Sequence, residues 1–233
     1  MKKISAVLPL AALCFASCAT VRPNYDWGNL NRYAMENRSL RDPEPGERRV
    51  VFMGDSITEG WSGHDSAFFD GNAYINRGIS GQTTPQMLLR FRQDVIDLRP
   101  KVVVILAGTN DIAQNTGPIS LEQITENIGS MAEMAKANDI RVLLCSVLPA
   151  NYFGWRSQIE AKGQIAALNL LIQRYAAKSG VIYVDYYSAM VDEKKGMRDG
   201  LCDEKDGVHP NRTGYKVMEP IVEKAIAEAL KGK

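Results

Sequence analysis

Residues 102 to 111 read Val102-Val103-Val104-Ile105-Leu106-Ala107-Gly108-Thr109-Asn110-Asp111. An unbroken apolar run ends abruptly in a glycine and three small polar residues. A strand with one wet face alternates apolar and polar residues, whereas a strand covered on both faces does not. The stretch therefore predicts a strand inside a parallel sheet, with helices on both sides. Val142-Leu143-Leu144-Cys145-Ser146-Val147 reads the same way.

Working outward, strands are predicted at 49–53, 73–76, 102–107, 141–147 and 182–184. Helices are predicted at 84–98, 120–138, 158–179 and 211–230. In 120–138, Leu121, Ile124, Ile128, Met131 and Met134-Ala135 recur at helical spacing, and Ser120 with Gln123 forms a capping box. Strand–helix alternation implies right-handed βαβ units and an α/β sandwich on a five-stranded parallel sheet. Sites in such folds lie beyond the C-terminal ends of the strands.

Polar residues gather at those ends. Gly54-Asp55-Ser56 follows the first strand. Arg77-Gly78-Ile79-Ser80-Gly81-Gln82-Thr83-Thr84 follows the second, and Gly108-Thr109-Asn110-Asp111 the third. Leu148-Pro149-Ala150-Asn151-Tyr152 follows the fourth, and Asp206-Gly207-Val208-His209-Pro210 comes after the fifth. Each cluster alone reads as turn glycines and helix caps. Catalysis is the other reading. A serine needs a base to take its proton, and the chain has two histidines, His64 and His209. Asp206, three residues before His209, can accept from its Nδ1–H or cap the last helix. His64, in a polar loop, reads as solvated or as part of a pocket rim.

Taken in order, the Gly54-Asp55-Ser56, Gly81, Gly108-Thr109-Asn110-Asp111 and Asp206-Gly207-Val208-His209-Pro210 blocks resemble those of the GDSL/SGNH hydrolases, over about residues 49–230. The resemblance implies a flavodoxin-like three-layer α/β/α fold and serine-dependent ester hydrolysis. It implies Ser56 as nucleophile, His209 as base and Asp206 as its orienting acid. It also implies an oxyanion hole made of the Ser56 and Gly81 amides and the Asn110 side chain. Asp55, Thr109 and Asp111 then hold the loops, with Asp55 also a candidate substrate contact. No cofactor or metal is implied. The chain lacks Gly-x-Ser-x-Gly, His-Glu-x-x-His and the phosphate-loop patterns.

The chain has 233 residues, 45% of them hydrophobic and 24% charged, with a formal charge of +1. That fits one globular domain and gives no basic excess for nucleic acid. Residues 1–17 read as a signal: Lys2 and Lys3, an apolar run from Ile4 to Phe15, then Ala16-Ser17-Cys18. The ending resembles the lipobox of bacterial lipoproteins, implying acylation of Cys18, an N-terminal membrane anchor and a place in the cell envelope. A plain cleaved signal, giving a periplasmic or secreted protein, is the alternative. Residues 18–46 read as a tether and a helical segment over 27–38, and 47–233 as the hydrolase domain. Cys14 lies in the signal, Cys145 reads as a buried hydrophobe, and Cys202 is a weak rival nucleophile.

Asn151-Tyr152-Phe153-Gly154-Trp155-Arg156 carries three aromatics. With Trp61 it reads either as a platform beside Ser56, through Tyr152 and Trp155, or as a hydrophobic plug. No large apolar lid stands out, which points to a small acyl group such as acetyl, carried on a glycan. A lipid-directed acylhydrolase, resembling the platelet-activating-factor acetylhydrolase branch, is the alternative. A glycan-binding protein on a decayed esterase scaffold and a flavin binder are the readings from other classes. Oligomeric state is not legible.

Overall fold

The computed structural model describes residues 25–203 and 206–231, so residues 1–17, expected to be a signal, and Cys18 lie outside the described residues. The elements run α1 (Ala34–Ser39), β1 (Val50–Gly54), α2 (Ser56–His64), α3 (Ser66–Asp70), β2 (Tyr74–Gly78), α4 (Thr84–Asp94), β3 (Val102–Leu106) and α5 (Thr109–Ile112). Then come α6 (Leu121–Lys136), β4 (Arg141–Cys145), α7 (Lys162–Ser179), β5 (Ile182–Val184), α8 (Tyr187–Met190) and α9 (Arg212–Lys231). All four strand pairings are parallel, in the order β2-β1-β3-β4-β5. The expected three-layer α/β/α sandwich is the fold found.

Two cores explain the unbroken apolar strands. Val51, Met53, Val103, Ile105, Val142 and Leu144 pack with α4, α6 and α7 on one face. Val50, Phe52, Val102, Val104, Leu106 and Leu143 pack with α2, α3 and α9 on the other. Alternate side chains thus serve opposite layers, and both layers are dry.

From β1 the chain goes to β2 on one side, then crosses back to β3 on the other. The crevice at this reversal opens between the C-terminal ends of β1 and β3, where open α/β sheets bind ligands. Gly54-Asp55-Ser56 and Gly108-Thr109-Asn110 are the two loops that leave it.

Several boundaries differ from the sequence expectations. The helix expected over 84–98 stops at Asp94, and a 3₁₀ turn at Ile96–Leu98 follows. Pro100 disfavours helical geometry at the residue before it, and Arg99 sits in the left-handed region. The N-terminal helix begins only at Ala34. Before it, the Asp26 carboxylate accepts from the Leu30 and Asn31 amides, and Asn29 turns left-handed. This segment is docked on the domain: Tyr33 donates to the Gly78 carbonyl, and Gln82 Nε2 donates to Gly28 O.

Ser56 opens a helix, α2, that is not among the four read from apolar spacing. Gly60 and Gly63 each weaken a helix by about 1 kcal/mol. Burial of Ile57 and Trp61, about 1.5–3 kcal/mol for each large apolar side chain, outweighs that cost.

Candidate active site

The site begins where β1 ends. A Cβ on Gly54 would lie 2.8 Å from the Leu106 carbonyl, so only glycine lets the chain turn there. Asp55 caps α2, its Oδ1 accepting from Ile57 N at 3.0 Å. Ser56 is therefore the first helical residue, where backbone N–H groups have no intrahelical acceptor.

Ser56 Oγ lies 2.8 Å from His209 Nε2, and His209 Nδ1 lies 2.7 Å from Asp206 Oδ2. An ionised carboxylate can only accept, so the proton sits on Nδ1 and the Nε2 lone pair faces the serine. The loop that delivers His209 is fixed on both sides of it. Val208 is buried in the core, Gly207 adopts φ +68, and Pro210 bridges to Cys202.

Gly81 has φ +77, a conformation strained for any other residue, with open space where a side chain would stand. Among the described residues, neither the Ser56 nor the Gly81 amide donates to a protein acceptor. Asn110 is buried, and its Nδ2 lies 3.1 Å from Gln82 O and 3.4 Å from Asp55 Oδ2. That nitrogen is therefore held between the residue after Gly81 and the residue before Ser56. The three residues expected to supply oxyanion donors thus lie in neighbouring loops at one edge of the sheet.

A buried guanidinium braces these loops from below. Arg90 donates to Gly54 O at 3.0 Å, to Arg77 O at 2.8 Å and to Gln82 Oε1 at 2.6 Å, and pairs with Asp94. Asp111 accepts from the Thr84 amide and hydroxyl, tying α5 to α4. Sequence reasoning gave Asp111 this loop-holding role. It missed Arg90, whose partners are backbone carbonyls and a side chain far away in sequence.

Two expected substrate contacts are corrected. Trp61 is 1% exposed and lies between Phe68 and Tyr215, with ring centroids 5.0 and 5.2 Å away. It is a core residue because α2 turns its side chain towards Phe52 and away from the crevice. Asp55 is also 1% exposed, its carboxylate engaged with the Ile57 amide and Asn110, so it shapes the loop only. Trp155 does reach the site: its ring is 43% exposed and 6.3 Å from His209. Tyr152 is exposed too, in a separate hollow with Met197, Cys202 and Gly207. His64 is exposed, and its ring packs against Tyr215 rather than near His209. Burial and the nearby Asp206 push the Cys202 thiol up, which disfavours a thiolate.

Burial pushes both Asp55 and Asp111 up to about 6, against the hydrogen bonds that hold their ionised forms. The unfolded chain releases these protons near pH 4, whereas the folded one keeps them until about 6. The stability they add is complete below pH 4 and is lost as pH rises through 6. Each contributes up to about 3 kcal/mol. The urea midpoint is expected to fall between pH 4 and pH 7, and to fall less in Asp111→Asn. A midpoint flat across that window would contradict this account.

Beside Gly81 a cavity of about 640 Å³ is lined by Asp26, Trp27, Asn29, Gln86 and Asn115. Among the described residues, no three His, Cys, Asp or Glu side chains form a metal-holding group.

A family model described as "GDSL-like Lipase/Acylhydrolase family" matches residues 52–217. The chain belongs to this family. The family is one of lipases and acylhydrolases. The chain's fold is shared with the crystal structure of a GDSL-like lipase from Bacteroides thetaiotaomicron, 51% identical, with a TM-score of 0.84 over 87% of this chain and 99% of that one. Among curated relatives, an acetylxylan esterase of Xylanibacter ruminicola is 26% identical over 81% of this chain and 45% of its own length. The uncharacterized lipoprotein YqeF of Bacillus subtilis is 34% identical over 45% of this chain and 50% of its own. The chain thus spans about half the length of these curated relatives.

Proposed function

We propose that this hydrolase removes short acyl groups, acetyl foremost, from O-acylated carbohydrates by way of an acyl-enzyme on Ser56. The observation that carries the proposal is the continuous Ser56–His209–Asp206 hydrogen-bond chain at the mouth of the β1–β3 crevice. Ser56 Oγ attacks the ester carbonyl carbon as His209 Nε2 takes its proton, and Asp206 stabilises the imidazolium. The developing oxyanion accepts from the Ser56 and Gly81 amides and from Asn110 Nδ2, each donor worth on the order of 100- to 1,000-fold in rate. Collapse expels the sugar alkoxide, which takes the proton from His209. Water, deprotonated by His209, then attacks the acetyl-serine; collapse breaks the acyl–Oγ bond, returns the proton from His209 to Ser56 and releases acetate.

The carbohydrate reading is supported by the polar cavity beside Gly81 and by the half-exposed Trp155 indole at His209. Sugars stack their C–H faces on such rings, while their hydroxyls need polar walls. The relative named an acetylxylan esterase agrees with it. Mass spectrometry of the products should find acetate from acetylated polysaccharide and little fatty acid from lysophospholipid. The reverse pattern would favour a lipid-directed acylhydrolase. No release from either, with Ser56 unlabelled by a fluorophosphonate, would favour a glycan-binding protein.

We further propose that the protein is exported and anchored through an acylated Cys18, as the lipobox-like sequence and the lipoprotein relative suggest. No helix of the described residues is long and apolar enough to cross a membrane. In the same preparations, wild type should enter the detergent phase and Cys18→Ala the aqueous one. Identical partitioning of the two would refute the anchor.

A further inference from the structure

The loop bearing Trp155 and the loop bearing Asn110 share one hydrogen-bond chain. Trp155 Nε1 donates to Asn115 Oδ1 at 2.9 Å. Asn115 Nδ2 donates to Asn110 Oδ1 at 2.8 Å and approaches Gly81 O at 3.3 Å. Asn110 Nδ2 then faces Gln82 O and Asp55 Oδ2.

The direction of this chain is set by its ends. An indole N–H can only donate, and the Gly81 and Gln82 carbonyls can only accept. Asn115 must therefore turn its oxygen to Trp155 and its nitrogen to Asn110. Asn110 in turn must offer its oxygen to Asn115, which leaves its nitrogen on the side of Ser56 and Gly81. This matters because an amide is nearly symmetric in shape. Flipped by 180°, Asn110 would keep its shape but would point a carbonyl oxygen at Gln82 O, at Asp55 Oδ2 and at the developing oxyanion.

We infer that Asn115 is a positioning residue that, with Gln82 O on the other side, fixes the sense and place of the Asn110 amide, and that Trp155 anchors Asn115. The inference rests on the proposed role of Asn110 as an oxyanion donor. Asn115 touches both side-wall residues of the hole, Gly81 through its carbonyl and Asn110 through its side chain, and among the described residues it makes no hydrogen bond to Ser56 or His209. Its effect should therefore appear on the chemical step.

The test is Asn115→Asp. The new carboxylate keeps the size and can still accept from Trp155, but it has no proton for Asn110 Oδ1. Two acceptors would then face each other, and Asn110 must either shift away from the carboxylate or turn its oxygen against Gln82 O and Asp55 Oδ2; both displace its Nδ2 from the oxyanion. For an aryl acetate, kcat is expected to fall on the order of 100-fold, the loss of one oxyanion donor. KM should stay within about twofold, because binding in the ground state is untouched. Trp155→Phe, which keeps a ring but removes the N–H, should lower kcat in the same direction by less.

An Asn110→Ala background separates positioning from general damage. If Asn115 acts through Asn110, adding Asn115→Asp to that background should cost less than about twofold more. Unchanged kcat in Asn115→Asp, alongside an active wild type, overturns the inference alone. So does a full additional loss in the Asn110→Ala background, or a loss matched by a collapsed melting midpoint. An inactive wild type overturns the proposed reaction as well.

Discussion

Ser56→Ala is expected to lower kcat for an aryl acetate on the order of 10⁵- to 10⁶-fold, and His209→Ala by about as much. The geometry sets these sizes. Ser56 Oγ and His209 Nε2 are 2.8 Å apart, so nucleophile and base act as one unit. Removing either leaves the other without a task, and the double variant should lose little more than each single one. Asp206→Asn should cost on the order of 10⁴-fold, because an amide at that place no longer enforces the Nδ1–H tautomer or stabilises the imidazolium. All three variants should keep the wild-type melting midpoint within a few degrees, since Asp206 and His209 are about one-third exposed and touch little of the core. A fluorophosphonate should label wild type promptly and Ser56→Ala not at all. Retained turnover in either alanine variant would remove Ser56 and His209 from the reaction.

What the sequence made legible and what it hid follow one physical divide. Ser56, Gly81, Asn110, Asp206 and His209 were singled out by the resemblance of their ordered blocks to a family, since each cluster alone reads as a turn or a cap; the strands were readable from their two dry faces. Trp61 was misread because its direction depends on the phase of α2. That helix carries Gly60 and Gly63, and it exists through packing rather than propensity. An aromatic five residues after a serine looks the same whether it faces the crevice or the core. Asn115 and Arg90 gave no signal at all. An amide in a loop has no periodicity, and Arg90 is specified by carbonyls at Gly54 and Arg77 that only the folded chain brings to it. The N-terminal segment was foreseen as a helix, but its docking through Tyr33 and Gly28 was not. Those contacts form only when β2 and the Gly81 loop are in place.

Gly78→Ala is expected to disable the site from a distance. Gly78 ends β2, with the first turn of α2 lying directly on it. A Cβ there would stand 2.7 Å from both the Asp55 carbonyl and Glu59 Cα, and closer still to the Glu59 amide. All three are backbone atoms, so no side-chain rotation relieves the clash and α2 must move away from β2. Overpacking of this kind typically costs about 1–3 kcal/mol, occasionally more. The displacement also carries Ser56, the first residue of α2, away from His209, which sits on an independent loop. A misplacement of about 1 Å costs on the order of 100-fold in rate. Gly78→Ala should therefore lower both the melting midpoint and kcat, while KM changes little because the Trp155 face and the polar cavity stay where they are. Gly63→Ala is the control within the same helix. Nothing lies within 4 Å of its Cβ, and it is not in the left-handed region, so it should be neutral or stabilise by up to about 1 kcal/mol with full activity. If Gly78→Ala folds with wild-type kcat, the packing of α2 on β2 does not set the position of Ser56.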